Sequence, residues 1–265
     1  MGRIEQAFRR AREERRAVIA PYFTVGYPDV PATVEGVSAA IRAGADLIEL
    51  GVPFSDPLAD GATIQKSSTA ALNNSVTLQS CLEVTRLIRA QFQDTAIFFM
   101  GYYNPFLQYG IEKLADDAAA AGIDGLIVPD LPPEESGPLD DVISRHSLDL
   151  IYLIAPTSPD ERIEAISKRA RGFIYCVSLT GVTGARDAVS AGVPALIQRV
   201  RAHTDVPLAL GFGISRPDHV ASVAPIVDGV VIGSAMVNLM GDTPAAERTQ
   251  VVENYVRSLA DAGRR

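Results

Sequence analysis

The chain of 265 residues holds only two cysteines, Cys81 and Cys176, and three histidines, His146, His203 and His219. Two cysteines cannot build a disulfide framework or a zinc site on their own, and they point to a reducing compartment. The histidines are scattered, so no metal-ligand spacing exists and no metal is expected. No apolar run reaches the ~18 residues that a membrane span needs. The amino terminus lacks the apolar core of a signal peptide, and Glu5, Glu13 and Glu14 argue against a transit peptide. The expected location is therefore cytoplasmic. Positive charge is also scarce, for the formal net charge is −8. The densest basic run, residues 9–16, is interleaved with Glu13 and Glu14 and reads as a solvated helix face. A nucleic-acid partner is disfavoured.

What is present is an ordinary globular composition, 47% hydrophobic and 21% charged. The length allows two small domains or one large α/β barrel. Short apolar runs at 18–24, 47–50, 96–101, 125–128, 150–154, 173–177, 207–211 and 229–232 read as strands. Several, such as 96–100, are continuously apolar, as parallel strands covered on both faces are. Helical patterns fall near 30–43, 77–91, 111–121, 133–146, 160–170, 192–203 and 217–224. An extra amphipathic helix occupies 3–16, and a further helix or pair covers 235–262. A weak repeat links Ala43-Gly44-Ala45-Asp46-Leu47-Ile48, Ala121-Gly122-Ile123-Asp124-Gly125-Leu126 and Val227-Asp228-Gly229-Val230. In each, a helix ends, an Asp follows, and a buried strand begins. Eight strands with intervening helices predict an α/β fold, a single (β/α)8 TIM barrel spanning 1–265, with an additional helix at each end. A doubly wound open sheet is the alternative, but its G-x-G-x-x-G fingerprint after the first strand is missing.

In such a barrel, function sits at the C-terminal ends of the strands. After the second strand comes Val52-Pro53-Phe54-Ser55-Asp56-Pro57-Leu58-Ala59-Asp60-Gly61, preceded within the strand by Glu49. A carboxylate in an apolar strand is costly if ionised and unpaired, and burial can bring its pKa toward neutrality. Acid/base chemistry by Glu49 and Asp60 is one reading. The plainer one is a salt-bridged Glu49 and an Asp60 that caps a helix. The last two strands end in Gly211-Phe212-Gly213-Ile214-Ser215 and Gly233-Ser234-Ala235. Such loops offer backbone N–H groups to a phosphate, although glycine in tight turns is often purely structural. Tyr22, Tyr102, Tyr175 and Phe212 fall at or near strand tops, as core packing or as the wall of a pocket for a flat apolar group. Gly181 to Gly184 reads as a lid with glycine hinges, or as a plain connector.

The run from Glu49 to Gly61 resembles the signature of the tryptophan synthase alpha chain family. Gly181-Val182-Thr183-Gly184, Gly211-Phe212-Gly213-Ile214-Ser215 and Gly233-Ser234-Ala235 are similar to that family's later loops, in the same order. The resemblance covers essentially the whole chain. It implies retro-aldol cleavage of indole-3-glycerol phosphate to indole and glyceraldehyde 3-phosphate, with Glu49 and Asp60 as the catalytic carboxylates and no cofactor on this chain. It also implies a phosphate seat at Gly184, Gly213, Gly233 and Ser234. Tyr22, Tyr102, Ile127, Tyr175, Thr183 and Phe212 would complete the substrate pocket. The implied partner is a pyridoxal-phosphate beta chain in an α2β2 tetramer, met through 53–57, Pro105-Phe106 and 129–132. A free-standing lyase, or a subunit that mainly binds and activates the beta chain, stays open. The sequence departs from the family pattern at Leu179, where some members carry arginine, and at Ala62, where proline is usual. Tyr22 stands where some members have phenylalanine.

Overall fold

A computed structural model describes residues 1–177, 192–211 and 213–265. Eight strand positions follow one another in parallel: β1 (Val18–Thr24), β2 (Leu47–Gly51), β3 (Ala96–Met100), β4 (Gly125–Ile127), β5 in two segments (Asp149–Ile151 and Leu153–Ile154), β6 (Ile174–Val177), β7 (Leu208–Gly211) and β8 (Gly229–Ile232). β1 pairs with both β2 and β8. β5 pairs with β4 through Gly125↔Asp149 and with β6 through Leu153↔Tyr175, so the ring closes across Tyr152. The result is the closed parallel barrel that the sequence pattern predicts.

Among the described residues there are twelve helices: α1 (Arg3–Glu13), α2 (Val30–Arg42), α3 (Ala62–Asn73), α4 (Leu78–Gln91), α5 (Tyr103–Tyr109), α6 (Ile111–Ala121), α7 (Gly137–Arg145), α8 (Asp160–Arg169), α9 (Val193–Arg201), α10 (Pro217–Val223), α11 (Ser234–Asp242) and α12 (Ala245–Ala262). Their starts carry ordinary signals. Asp29 accepts the Ala32 N–H at 2.7 Å before α2, and Thr77 with Ser80 forms a capping box before α4. The C-terminal segment resolves into the pair α11 and α12. Two helices, α3 and α5, do not appear among the expected elements. α3 is rich in Ser and Thr and buries only Ile64, Ser67, Ser68 and Ala71, so its sequence carries no clear apolar stripe. α5 is short and has Pro105 in its first turn, which masks it as a loop.

Inward side chains recur at every second strand position. Val18 and Ala20 on β1, Leu47 on β2, Phe98 on β3, Ile127 on β4 and Phe173 just before β6 belong to one inner cluster. Helix α1 closes the N-terminal end of the barrel. Its Ile4, Ala7, Phe8 and Ala11 are buried in that cluster, and Phe8 lies 5.6 Å from Phe173, ring centre to ring centre.

The repeated Asp has a physical explanation at this end. The Asp46 side chain accepts the Ile19 N–H at 3.1 Å while the Asp46 N–H donates to the Ile19 carbonyl at 2.9 Å. Arg16 grips the same carboxylate with two N–H groups, at 2.6 and 2.8 Å. Asp124 repeats the arrangement with the Ile97 backbone and Arg89, and Asp228 with the Leu208 backbone and Arg201. Each clasp ties one strand's start to its neighbour and gives the carboxylate both a backbone N–H and an arginine, as a shielded charge requires. No helix in the described residues is long and apolar enough to cross a membrane.

Candidate active site

At the opposite end of the barrel, Glu49 stands where the alternation of β2 turns its side chain inward, paired in register with Tyr22 of β1 and Phe98 of β3. It is 1% exposed, and its Oε2 has no hydrogen-bond partner among the described residues. No ion pair reaches it there, so nothing among the described residues supports a salt-bridged Glu49. Burial, and then the charge of Asp60, push its carboxyl up to about 8. A carboxyl so placed keeps its proton near neutrality.

Asp60 is 7% exposed, in the turn between β2 and α3. The turn is held by the Asp60 N–H on the Pro57 carbonyl at 3.1 Å and by the Gln65 amide on the Asp60 carbonyl at 2.8 Å. It does not cap the helix, because the residue at the start of α3 is Gly61 and no side chain bonds its first amides. Burial raises the Asp60 carboxyl to about 6, against a hydrogen bond from Tyr102 that lowers it. Tyr102 also accepts the Ala59 N–H at 2.9 Å and packs on Phe54, ring centres 5.3 Å apart. It thus locks the acidic loop to the end of β3.

A cavity of about 200 Å³ opens between these strand ends, with Glu49, Met100, Ile127, Leu153 and Tyr175 in its wall. Ile127 and Tyr175 are where the sequence reading expects them. Met100 and Leu153 escaped that reading, though both follow an inward residue by two positions, Phe98 and Ile151 respectively, and the strand period points to them. Tyr22 lies beside Glu49 and packs with Ile64 and Val237. Among the described residues no group of three or more His, Cys, Asp or Glu side chains could hold a metal.

The expected anion seat lies partly within the described residues. β8 leads directly through Gly233 into α11 at Ser234, and no side chain caps that helix. Its first amides and the positive end of its dipole face an open space, for a Cβ on Gly233 would touch nothing within 4 Å. Gly213, above the neighbouring β7, takes a left-handed φ of +86° suited to glycine. Thr183, Gly184 and Phe212, the expected lid from Gly181 to Gly184, and Leu179 lie outside the described residues.

Comparison with known proteins agrees with this geometry along the whole chain. A model of the family described as tryptophan synthase alpha chain matches residues 8–263. A tryptophan synthase alpha chain from Roseiflexus sp. (strain RS-1) is 49% identical over 259 residues, covering 98% of this chain and 99% of its own length. The chain belongs to the tryptophan synthase alpha chain family. A second relative of that name, from Chloroflexus aggregans, is 48% identical over 265 residues, covering 100% of this chain and 99% of its own length. Among solved structures, tryptophan synthase of Mycobacterium tuberculosis superposes with a TM-score of 0.91 at 38% identity, covering 100% of this chain and 99% of that one. The family's reaction, cleavage of indole-3-glycerol phosphate, makes this chain a carbon–carbon lyase of tryptophan biosynthesis.

Proposed function

We propose that Glu49 and Asp60 carry the lyase reaction, and that the observation on which this rests is the buried, unpartnered Oε2 of Glu49 at the wall of the cavity. Breaking the bond between indole C3 and the glycerol chain needs a proton on C3, which turns the ring into a cationic leaving group. Protonated Glu49 gives that proton. As a carboxylate it then takes the proton of the hydroxyl on the adjacent chain carbon. The oxygen forms the aldehyde, the carbon–carbon pair returns to the ring, and Glu49 ends protonated as it began. One group acting as acid and then base needs a pKa near the working pH, and a carboxyl pushed up to about 8 meets that need. Asp60, ionised at neutral pH, accepts from the indole N–H and offsets the positive charge that develops there. Gly213, Gly233 and Ser234 hold the phosphate by backbone donors, and Thr183, Gly184 and Phe212 complete the pocket. The step uses only these side chains and the substrate.

We further propose that the chain works with a beta chain in an α2β2 tetramer, the pyridoxal phosphate belonging to that partner. On the strand-end face, Leu58 is 90% exposed and Leu107 50% exposed, two large apolar side chains that suit a protein contact. Phe106, expected on that surface from the sequence, is fully buried, so its neighbour Leu107 takes its place. The two cysteines are buried and unbridged, in keeping with the cytoplasm as the location we propose.

The test is single-turnover cleavage of indole-3-glycerol phosphate by the parent and Glu49→Gln, each with and without a beta chain. The expected result is substrate binding without cleavage in the variant. Substantial cleavage would remove Glu49 from the mechanism, and full parental turnover that a beta chain leaves unchanged would favour a free-standing lyase.

A further inference from the structure

Helix α10 buries three residues, and two of them, Val220 and Val223, are ordinary aliphatic core. The third is His219, 3% exposed, whose Nε2 has no hydrogen-bond partner among the described residues. An orphaned polar atom in the interior costs free energy that an aliphatic side chain would avoid. The other ring nitrogen shows what offsets that cost. His219 Nδ1 lies 3.1 Å from the Gly213 carbonyl, in the turn between β7 and α10. It is also 3.4 Å from the Ser215 N–H and 3.5 Å from the Ser215 hydroxyl. A proton on Nδ1 turns the shortest contact into a donor on an acceptor. A proton on Nε2 alone would set two lone pairs against each other at 3.1 Å and bury an unpaired N–H. The Ser215 N–H, at 3.4 Å, is too far away to outweigh that clash. The surroundings therefore favour Nδ1–H donating to Gly213.

That bond acts where the backbone is least able to hold itself. Gly213 has a φ of +86°, and glycine has the widest backbone freedom of any residue. A turn built on it keeps one shape only if something outside the turn holds it. His219 supplies the hold from α10, and Tyr255 of α12 donates to the Ser215 carbonyl at 2.9 Å, two residues further along. The neighbouring strands β7 and β8 are in register at Leu210 and Val230. Gly213 and Gly233 each follow that pair by three residues, so the two turns leave the barrel side by side.

We propose that His219 is a positioning residue for the phosphate end of the substrate, its Nδ1–H on the Gly213 carbonyl holding the turn above β7 in the shape that offers backbone amides to the anion. This rests on the phosphate seat at Gly213, Gly233 and Ser234 given above. His219 acts through the peptide that follows Gly213 and has no part in the proton transfers. A seat fixed in advance loses less freedom when the anion binds, and the saving appears as affinity. The phosphate is held alike before and during bond cleavage, so the effect belongs to KM rather than kcat.

The experiment measures kcat and KM for indole-3-glycerol phosphate cleavage, with beta chain present, in the parent, His219→Leu, His219→Asn and Gly233→Ala. His219→Leu should raise KM about tenfold with kcat within about twofold, and weaken glyceraldehyde 3-phosphate about tenfold while leaving indole binding unchanged. A role in stability alone would lower the folded fraction, which changes apparent kcat and not KM. His219→Asn, whose amide N–H stands in for Nδ1–H, should bring KM back to within about threefold of the parent's. Gly233→Ala puts a methyl into the open space of the seat and should raise KM independently of His219. A parental KM in His219→Leu beside a raised one in Gly233→Ala overturns the role of His219. A parental KM in both removes the phosphate seat itself. The parent provides a second measurement, which stands even if His219→Leu does not fold. Nitrogen NMR of the full chain with labelled histidine reads three imidazoles. The His219 proton should sit on Nδ1, and saturating inorganic phosphate should shift that resonance while His146 and His203 stay in place. A proton on Nε2 alone, or a resonance that phosphate leaves unmoved, overturns the proposal.

Discussion

Asp46 and Glu49 lie three residues apart in the sequence, at the foot and in the middle of the same barrel strand. Both are almost fully buried. Asp46 has a bidentate Arg16 and a backbone N–H on its carboxylate, whereas Glu49 leaves an oxygen with no partner among the described residues. The contrast recurs at two further strand starts. Asp124 and Asp228, at the N-terminal ends, repeat the Asp46 clasp, and Glu49, toward the C-terminal end, faces a cavity instead. The three clasped carboxylates are spent on joining strands, whereas the desolvation of Glu49 is left uncompensated and appears as a raised pKa. The clasps stabilise the fold, and the opposite end is where the proposed proton transfers take place.

Exchanging the properties of the two ends gives the largest expected effect. Glu49→Gln should lower kcat by at least about a thousandfold, with substrate binding retained, since one group serves both proton transfers. Asp60→Asn, assayed the same way, should lose on the order of a hundredfold through weaker stabilisation of the indole cation. At the other end Asp46→Ala should leave kcat close to the parent's but cost about 3 kcal/mol in denaturant unfolding, because Arg16 is left without its buried partner. Loss of activity without loss of stability in Asp46→Ala would erase the division between the ends.

A subtler effect appears in the dependence of stability on pH. The Glu49 carboxyl is raised from an ordinary value near 4.5 to about 8 in the folded chain. Its favourable contribution is therefore complete below pH 4.5 and is lost as pH rises through 8, because the unfolded chain releases that proton first. Glu49→Gln should remove this loss and gain about 2 kcal/mol relative to the parent between pH ~6 and pH ~8, read as a Tm several degrees higher at the upper pH. The smallest change concerns Ala62, first residue of α3. Gly61 before it is extended, with φ −81° and ψ 169°, a conformation that accepts a following proline. Ala62→Pro should stabilise by about 0.5 kcal/mol in thermal melts and leave turnover near the parent's.

The barrel was legible because parallel strands buried on both faces read as apolar runs, and all eight appear within a residue or two of their expected positions. The repeated Asp was visible as a pattern, but its reason was not, since Ile19, Ile97 and Leu208 come from neighbouring strands. α3 stayed hidden because its buried face includes Ser67 and Ser68, and Ser67 is committed to a hydrogen bond with Thr24. Phe106 was read as surface from its place beside Pro105, and packing put Leu107 there instead.

From the sequence alone came the eight-strand order, the pairing of an acid inside a strand with an acid in the following loop, and the glycines above the last two strands. These are local facts of residue type and spacing, which propensity and periodicity carry. Tertiary structure alone decided that Asp46 is neutralised and Glu49 is not. The fate of a buried charge depends on which donors the folded chain brings within about 3 Å, and those donors are set by closure of the barrel rather than by neighbours in sequence.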